Sequence, residues 1–259
     1  VHALFNETDY EPETAALLAA PLPFPDFASW SAEYGASEPY ILILHTHGTE
    51  SYAPGGSDTY KTTDSFRSHD RAENVVAVGD AMTETFEAAG IPVLHCTEMF
   101  DAESYQSSYS RASAAIRQIL AEHPSIQIVL DVHRDSIIRA DLTRLRPVTE
   151  ADGAPCAQFM NVAGTDFKGA DFPNWRDNLS FALKIQNTLL SRTDRFVRAI
   201  NLRGAGFNEH YRAGSLLLEV GSCGNTLAEA KRAGVTAAIA IADVVTGGGC
   251  IVEVSDILP

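Results

Sequence analysis

The amino-acid sequence predicts one α/β domain over residues 39–259, with a mainly parallel central sheet and helices on both faces. Two observations carry this. The strand-length apolar runs are apolar at nearly every position, as strands covered on both faces require. Between them lie segments with apolar spacings of three and four, the pattern of crossover helices that join parallel strands. No internal repeat or low-complexity block interrupts the alternation.

Residues 1–38 are expected to form an irregular strap. Pro21, Pro23 and Pro25 stand too close together for a long regular element, and the apolar residues around them suit packing on the domain surface. The first strand is expected at 40–45 (YILILH). A helix follows at 72–89, where Val75, Val78, Met82, Phe86 and Ala89 share one face and Gly90 is the stop signal. A short strand, 91–95 (IPVLH), leads to a second helix at 104–121 carrying Tyr105, Tyr109, Ala112, Ile116 and Ile119, with Pro124 beyond its end. The run 126–133 (IQIVLDVH) reads as a strand. In 134–155 the turn chemistry of "DGAP" predicts a hairpin that adds an antiparallel strand. Strands at 157–163, 197–202 and 215–221 remain, with a helix at 175–191 starting on Asn174. The last helix, 226–245, opens on "TLAE", a capping box of Thr226 and Glu229.

Composition excludes several classes. The formal net charge is −15, which disfavours nucleic acid and anionic membrane, since both need basic stripes to displace counterions. Cys96, Cys156, Cys223 and Cys250 are far apart with no CxxC pair, which suits neither a zinc knuckle nor a dense disulfide frame. No apolar run has the length of a transmembrane helix and no signal peptide opens the chain. The chain opens on Val1, as expected of an excised piece whose leader or anchor lies elsewhere.

Chemistry collects where apolar runs end in polar residues, because ligands of open α/β sheets bind beyond the carboxyl ends of the strands. "ILILHTHGTE" ends in His45 and His47 with Glu50 three residues on, "LDVHRDS" carries His133, and "LLLEVG" carries Glu219. Imidazoles and carboxylates on rigid elements are what a hydrolytic zinc site needs: three ligands, an open position for water and a nearby acid/base. His45 abuts its strand and reads as support. His47, one step into the loop, reads as a ligand. Glu50 fits a tight turn that brings it onto the same ion, and equally fits an exposed loop carboxylate. Asp131, two residues before His133, shares its face and can hold the second ring nitrogen; an Arg134–Asp135 salt-bridge cluster is the competing reading. Glu219 within so apolar a strand needs a cation or donor beside it, which an arginine could also supply. Cys223 in "EVGSCGN" could be a nucleophile at a helix terminus, but turn chemistry before the Thr226 cap explains it more simply. The glycines of "TGGGC" follow a helix and so make no phosphate cradle.

Taken together and in order, "ILILHTHGTESY", "NVVAVGD", "IQIVLDVHRDS", "FNEHY" and "SLLLEVGSCGNTLAEAKRA" resemble the stage II sporulation protein P family from about residue 38 to 247, leaving the strap outside. These are cell-wall hydrolases of endospore-forming bacteria, similar to zinc-dependent N-acetylmuramoyl-L-alanine amidases. The resemblance implies a zinc amidase or phosphorylase/hydrolase-like fold and cleavage of the lactyl-amide bond of peptidoglycan. It implies His47 and His133 as zinc ligands and Glu219 as the acid/base. Glu50 is the preferred third ligand and Asp70 the alternative, with Glu73 next to it. Asn208 and His210 look like substrate contacts, and Arg134 or His210 is a candidate to hold the oxyanion. Cleavage of stem-peptide cross-links, hydrolysis of small amides and a non-catalytic wall-binding role are the rival functions. The resemblance also implies an extracytoplasmic, membrane-anchored protein working with a lytic transglycosylase-like partner similar to stage II sporulation protein D.

Overall fold

The computed structural model describes residues 4–55, 59, 61, 65–192 and 195–258. In chain order the elements are β1 (Leu4–Asn6), α1 (Thr14–Ala19), α2 (Phe27–Tyr34), β2 (Ile41–Leu44), α3 (Val75–Ala88), β3 (Val93–His95), α4 (Ser108–Glu122) and β4 (Ile128–Asp135). There follow β5 (Val148–Ala151), β6 (Ala154–Ala157), β7 (Phe159–Gly164), α5 (Trp175–Arg192), β8 (Ile200–Arg203), β9 (Gly214–Ser222), α6 (Leu227–Thr246) and α7 (Val254–Ile257).

The main sheet has seven strands in the order β1-β8-β7-β9-β4-β2-β3. Every pairing is parallel except β7 with β9. The sheet is therefore two parallel blocks meeting head to tail, and β2, β4 and β9 point their carboxyl ends at one edge.

Alternation sorts the side chains onto two faces. Ile41, Ile43, Leu130, Val132, Leu216, Leu218 and Val220 enter the large core, which α3, α5 and α6 cover. Leu42, Leu44 and Val129 enter a smaller core under α4, with Ala112, Ile116 and Leu120. Helices thus lie on both faces, but unequally. α4 shields the β2–β4 part of its face, and that face continues past it over β9, β7 and β8.

The hairpin expected in 134–155 is β5–β6, turning on Asp152 and Gly153 at φ 51° and 72°. Positive φ at both central residues suits the right-handed twist of paired strands and explains Asp-Gly here. It forms its own two-stranded sheet. The antiparallel strand of the main sheet is β7 instead. The capping box of α6 is present: Glu229 N donates to Thr226 Oγ1 at 3.3 Å and Thr226 N to Glu229 Oε2 at 3.1 Å.

The strap is more ordered than its prolines suggest, although residues 1–3 lie outside the described ones. It supplies the edge strand β1 and two short helices. Asp26 caps α2 by accepting from Ser29 N at 2.8 Å. Trp30 is fully buried and donates its Nε1 hydrogen to Ser125 O at 2.8 Å. Burying a ring of that size helps to offset the cost of ordering the segment around it. The four cysteines are unpaired. Among the described residues no helix is long and apolar enough to cross a membrane.

Candidate metal centre

His47, Glu50 and His133 converge, each offering one ligand atom within 4.8 Å of the others. They form the one such group of three among the described residues. A tight turn makes the first contact: Glu50 N donates to His47 O at 3.0 Å. Val75 N at the start of α3 donates to Glu50 O at 2.8 Å and fixes the loop against the helix. His47 Nδ1 then lies 3.9 Å from Glu50 Oε1, and His133 Nδ1 lies 3.5 Å from Glu50 Oε2.

His47 has its other nitrogen hydrogen-bonded, and His133 has a carboxylate beside its own. His47 Nε2 bonds Ser108 Oγ at 3.0 Å, and that hydroxyl donates onward to Tyr105 O. His133 Nε2 is 2.9 Å from Asp131 Oδ1. Asp131 in turn accepts from Thr46 N at 2.8 Å and Thr46 Oγ1 at 2.5 Å. Each ring therefore has Nε2 beside a polar partner and turns Nδ1 to the common point, the arrangement that metal-binding histidines use. Two imidazoles and one carboxylate are also a donor set for catalytic zinc that leaves a fourth position open. Tyr105 stacks on the His47 ring with centroids 4.4 Å apart.

The charges are arranged to keep Glu50 ionised. Burial opposes ionisation, but His133, Arg134 and His47 pull its carboxyl down to about 2. Arg134 N donates to Glu50 Oε2 at 3.2 Å, and its NH1 lies 3.8 Å from Oε1. Arg67 NH2 approaches the same oxygen at 3.7 Å while its NH1 pairs with buried Asp101 at 2.5 Å. Asp101 also accepts from Thr49 N and Oγ1, so the turn between His47 and Glu50 is tied down from within. Burial and the neighbouring His133 lower His47 to about 4. His133 goes the other way: burial would depress it, and Asp131 and Glu50 outweigh that and hold it well above the ordinary imidazole value.

Glu219 completes the group. It is the register partner of His133 across β4 and β9, so the two side chains stand next to each other on one face. Burial pushes its carboxyl up to about 8, with His133 opposing and Glu50 and Asp135 reinforcing. Its Oε2 has no hydrogen-bond partner in the protein. The four residues line a cleft of about 290 Å³ whose floor continues over β7 and β8.

The centre is thus at the expected carboxyl ends but lies on the open face beside α4, not in a crevice beyond the edge. Its floor needs β7 and β8, whose antiparallel attachment no local pattern announces.

The other candidates fall elsewhere. His45 faces the opposite side of the sheet, fully buried, with Nδ1 on Val132 O at 2.9 Å and Nε2 on His95 Nε2 at 2.8 Å. Burial and His95 lower it to about 3. Asp70 is exposed and caps a local turn through Ala72 N at 2.9 Å, and Glu73 accepts from Ser68 Oγ. Neither belongs to the cluster. Arg134 forms no carboxylate pair with Asp135: its Nε and NH2 donate to the carbonyls of Ser51 and Phe66, and Asp135 pairs with Arg198 at 2.8 Å. With those donors committed, Arg134 holds Glu50 and is not free for an oxyanion. His210 is exposed, packs against Tyr211 and Phe172, and does not line the cleft. Asn208 donates to Tyr109 O at 2.9 Å and so pins its loop to α4.

Between those two lies Glu209, buried, with Oε2 accepting from Gly164 N at 2.9 Å and Oε1 unpartnered. Burial raises its carboxyl well above the usual range. Sequence reasoning missed it, and missed Ser108, Arg67 and Asp101. Ser108 could have been found, since it opens α4 between Tyr105 and Tyr109. Arg67 and Asp101 sit in loops with no pattern to mark them.

Comparisons with known proteins agree with the motifs. A family model, Stage II sporulation protein P, matches residues 6–244, so the strap belongs to the recognisable part after all. The chain is 27% identical over 211 residues to "Stage II sporulation protein P" of Bacillus subtilis (strain 168), covering 76% of this chain and 49% of that one. It therefore spans about half the length of the curated relative it matches. Among solved structures, N-acetylmuramoyl-L-alanine amidase AmiC2 of Nostoc punctiforme superposes with a TM-score of 0.45 at 13% identity, covering 82% of this chain and 97% of that one. An N-acetylmuramoyl-L-alanine amidase from Clostridium difficile 630 superposes with a TM-score of 0.42 at 15% identity, with the same coverage. By the extent of the family match, this chain belongs to the stage II sporulation protein P family.

Proposed function

We propose that the chain is a peptidoglycan hydrolase of endospore formation that cleaves the amide between N-acetylmuramic acid and L-alanine of the stem peptide. The observation that carries the reading is the convergence of His47, Glu50 and His133 with Glu219 beside them on the next strand. Family membership supports a cell-wall role in sporulation.

His47 Nδ1, His133 Nδ1 and a Glu50 oxygen would hold a zinc ion. Bound there, zinc supplies a Lewis acid and lowers the pKa of water to about 7. The remaining work falls to the chain. Asp131 and Ser108 fix the two rings, and Arg134 and Arg67 keep Glu50 ionised. Glu219 removes a proton from the attacking water and returns it to the departing L-alanine amine. Burial raises its carboxyl toward neutrality, the direction that a group which must both take and give a proton needs. The cleft runs along the sheet face, which suits an extended substrate better than a small amide. Peptidoglycan lies outside the cytoplasm, so the protein would act there, alongside a lytic transglycosylase similar to stage II sporulation protein D that cuts the glycan.

The test is to incubate the zinc-loaded protein with purified peptidoglycan and label the new amino termini. Free alanine termini are expected. Termini arising only at cross-links would replace the amidase reading with an endopeptidase, and no termini with retained wall binding would replace it with a binding domain.

A further inference from the structure

We propose that the end of the cleft remote from the metal centre, formed by Arg203 and Asn201 on β8, binds a carboxylate on the peptide half of the substrate and makes the protein selective for acidic peptides. The inference rests on the amidase reading for the direction in which the substrate lies, and on the cleft itself for the chemistry.

Direction follows from Glu219. The proton it returns goes to the leaving amine, so the peptide half must lie on the Glu219 side of the metal centre. β9 carries Glu219, and beyond β9 come β7 and then β8. The peptide therefore leaves across β7 toward β8, while the acyl half lies toward His47 and α4.

The floor along that path changes character in steps. Asp131 pairs with Leu217, Leu217 with Val162 and Val162 with Asn201, one row straight across the sheet. Adjacent strands are about 4.8 Å apart, so Asn201 lies roughly 14 Å from the β4 end of that row. An extended peptide covers this in about four residues. Leu217, Val162 and Met160 make the middle apolar, fit for small side chains.

Asn201 and Arg203 then end the cleft in polar groups. Asn201 Oδ1 is buried and accepts no hydrogen bond from the protein, although a buried acceptor ordinarily has a donor. A peptide N–H passing over β8 would supply it. Arg203 is held from the side: its Nε lies 3.1 Å from Glu7 Oε2, on the segment that follows β1, and Glu7 N donates to Leu202 O. Guanidinium is the group that matches a carboxylate with paired donors.

The loop above is built to stay in place. Phe207 lines the cleft at φ 45° and Asn208 follows at 61°, left-handed conformations that asparagine tolerates and that phenylalanine adopts only when its surroundings require it. Asn208 bonded to Tyr109 O, Asn178 bonded to Glu209 O and Glu209 bonded to Gly164 N supply that requirement. The strap and the buried Glu209 thereby both serve the same end of the cleft.

The experiment compares a muramoyl tetrapeptide whose carboxylates are free with the same compound bearing carboxamides, for wild type, Arg203→Met and Arg203→Lys. Wild type is expected to favour the acid by about 10- to 100-fold in KM, the range of a charge-assisted hydrogen bond, with kcat little changed. Arg203→Met should bring that ratio close to one, and Arg203→Lys, which keeps the charge without the paired donors, should keep only part of it. A wild-type ratio near one, or a preference that survives Arg203→Met, overturns the subsite while leaving the amidase reading intact. If wild type cleaves neither compound, the amidase reading fails and the subsite is judged by calorimetry with the free tetrapeptide and its carboxamide. A tenfold preference lost in Arg203→Met then supports it, and equal affinities overturn it. Thermal unfolding of each variant separates a lost contact from a lost fold.

Discussion

His133 and Glu219 are register partners on adjacent parallel strands, one imidazole held above its ordinary pKa beside one carboxyl raised to about 8. Strand spacing alone brings them together, with no loop needed to aim either side chain. A site built on paired strands is held more firmly than one built on loops, and only the 47–50 turn has to be tied down separately.

Glu50, and not Asp70, is expected to be the third ligand. Glu50→Gln should weaken zinc binding by more than the 10- to 100-fold typical of losing a residue that merely orients a ligand. Asp70→Ala should bind as wild type. Competition with a chromophoric chelator measures both, and the reverse ranking would move the ligand to the start of α3.

Zinc binding should release at least one proton at neutral pH. Asp131 and Glu50 hold His133 protonated there, and an imidazole must lose the proton on the nitrogen that binds the ion. The sign follows: affinity rises with pH until His133 is neutral. Calorimetry in buffers of different ionisation enthalpy counts the protons, and zero release would show that His133 is already neutral or not a ligand.

Glu209→Gln should flatten the pH dependence of stability. Unfolded, a glutamate titrates near about 4.3, and buried Glu209 titrates well above that. Across this window the folded chain keeps a proton that the unfolded chain has released. Its contribution is full below about 4.3 and is lost as pH rises through the folded value. Urea unfolding from about pH 5 to about pH 8 should therefore show a smaller decline in the glutamine variant. An equal decline would mean that Glu209 is ionised when folded.

Much of this fold was legible because burial on both faces writes an unbroken apolar run into a strand. That is why β2, β4 and β9, with their terminal His47, His133 and Glu219, stand out from the chain. β1 could not be read: three residues long and largely exposed, it exists only through its pairing with β8, nearly two hundred positions away. The reversal of β7 against β9 was equally silent, and the Asp-Gly turn drew attention to a hairpin outside the main sheet. In the site, residue types that bind metals announced themselves at strand ends. Arg67, Asp101 and Glu209 act through contacts made between distant segments, and no spacing within the sequence records those.

Gly79→Ala should destabilise the fold although it lies inside α3. Alanine in a helix interior ordinarily gains about 1 kcal/mol over glycine. Here a Cβ would sit 2.6 Å from Nε2 of both His45 and His95. Overpacking of that kind costs about 1–3 kcal/mol, so a net loss is expected in urea unfolding. A stabilised variant would contradict the close packing of the two rings under α3.

The most direct test of the proposed chemistry is the rate at which Glu219→Gln releases alanine amino termini from peptidoglycan, measured with zinc content on the same sample. Glutamine keeps the shape of the side chain and cannot carry the proton. Full zinc occupancy and a rate lower by about 10²- to 10⁴-fold are expected. A rate within a few-fold of wild type at full occupancy would contradict the proposed chemistry.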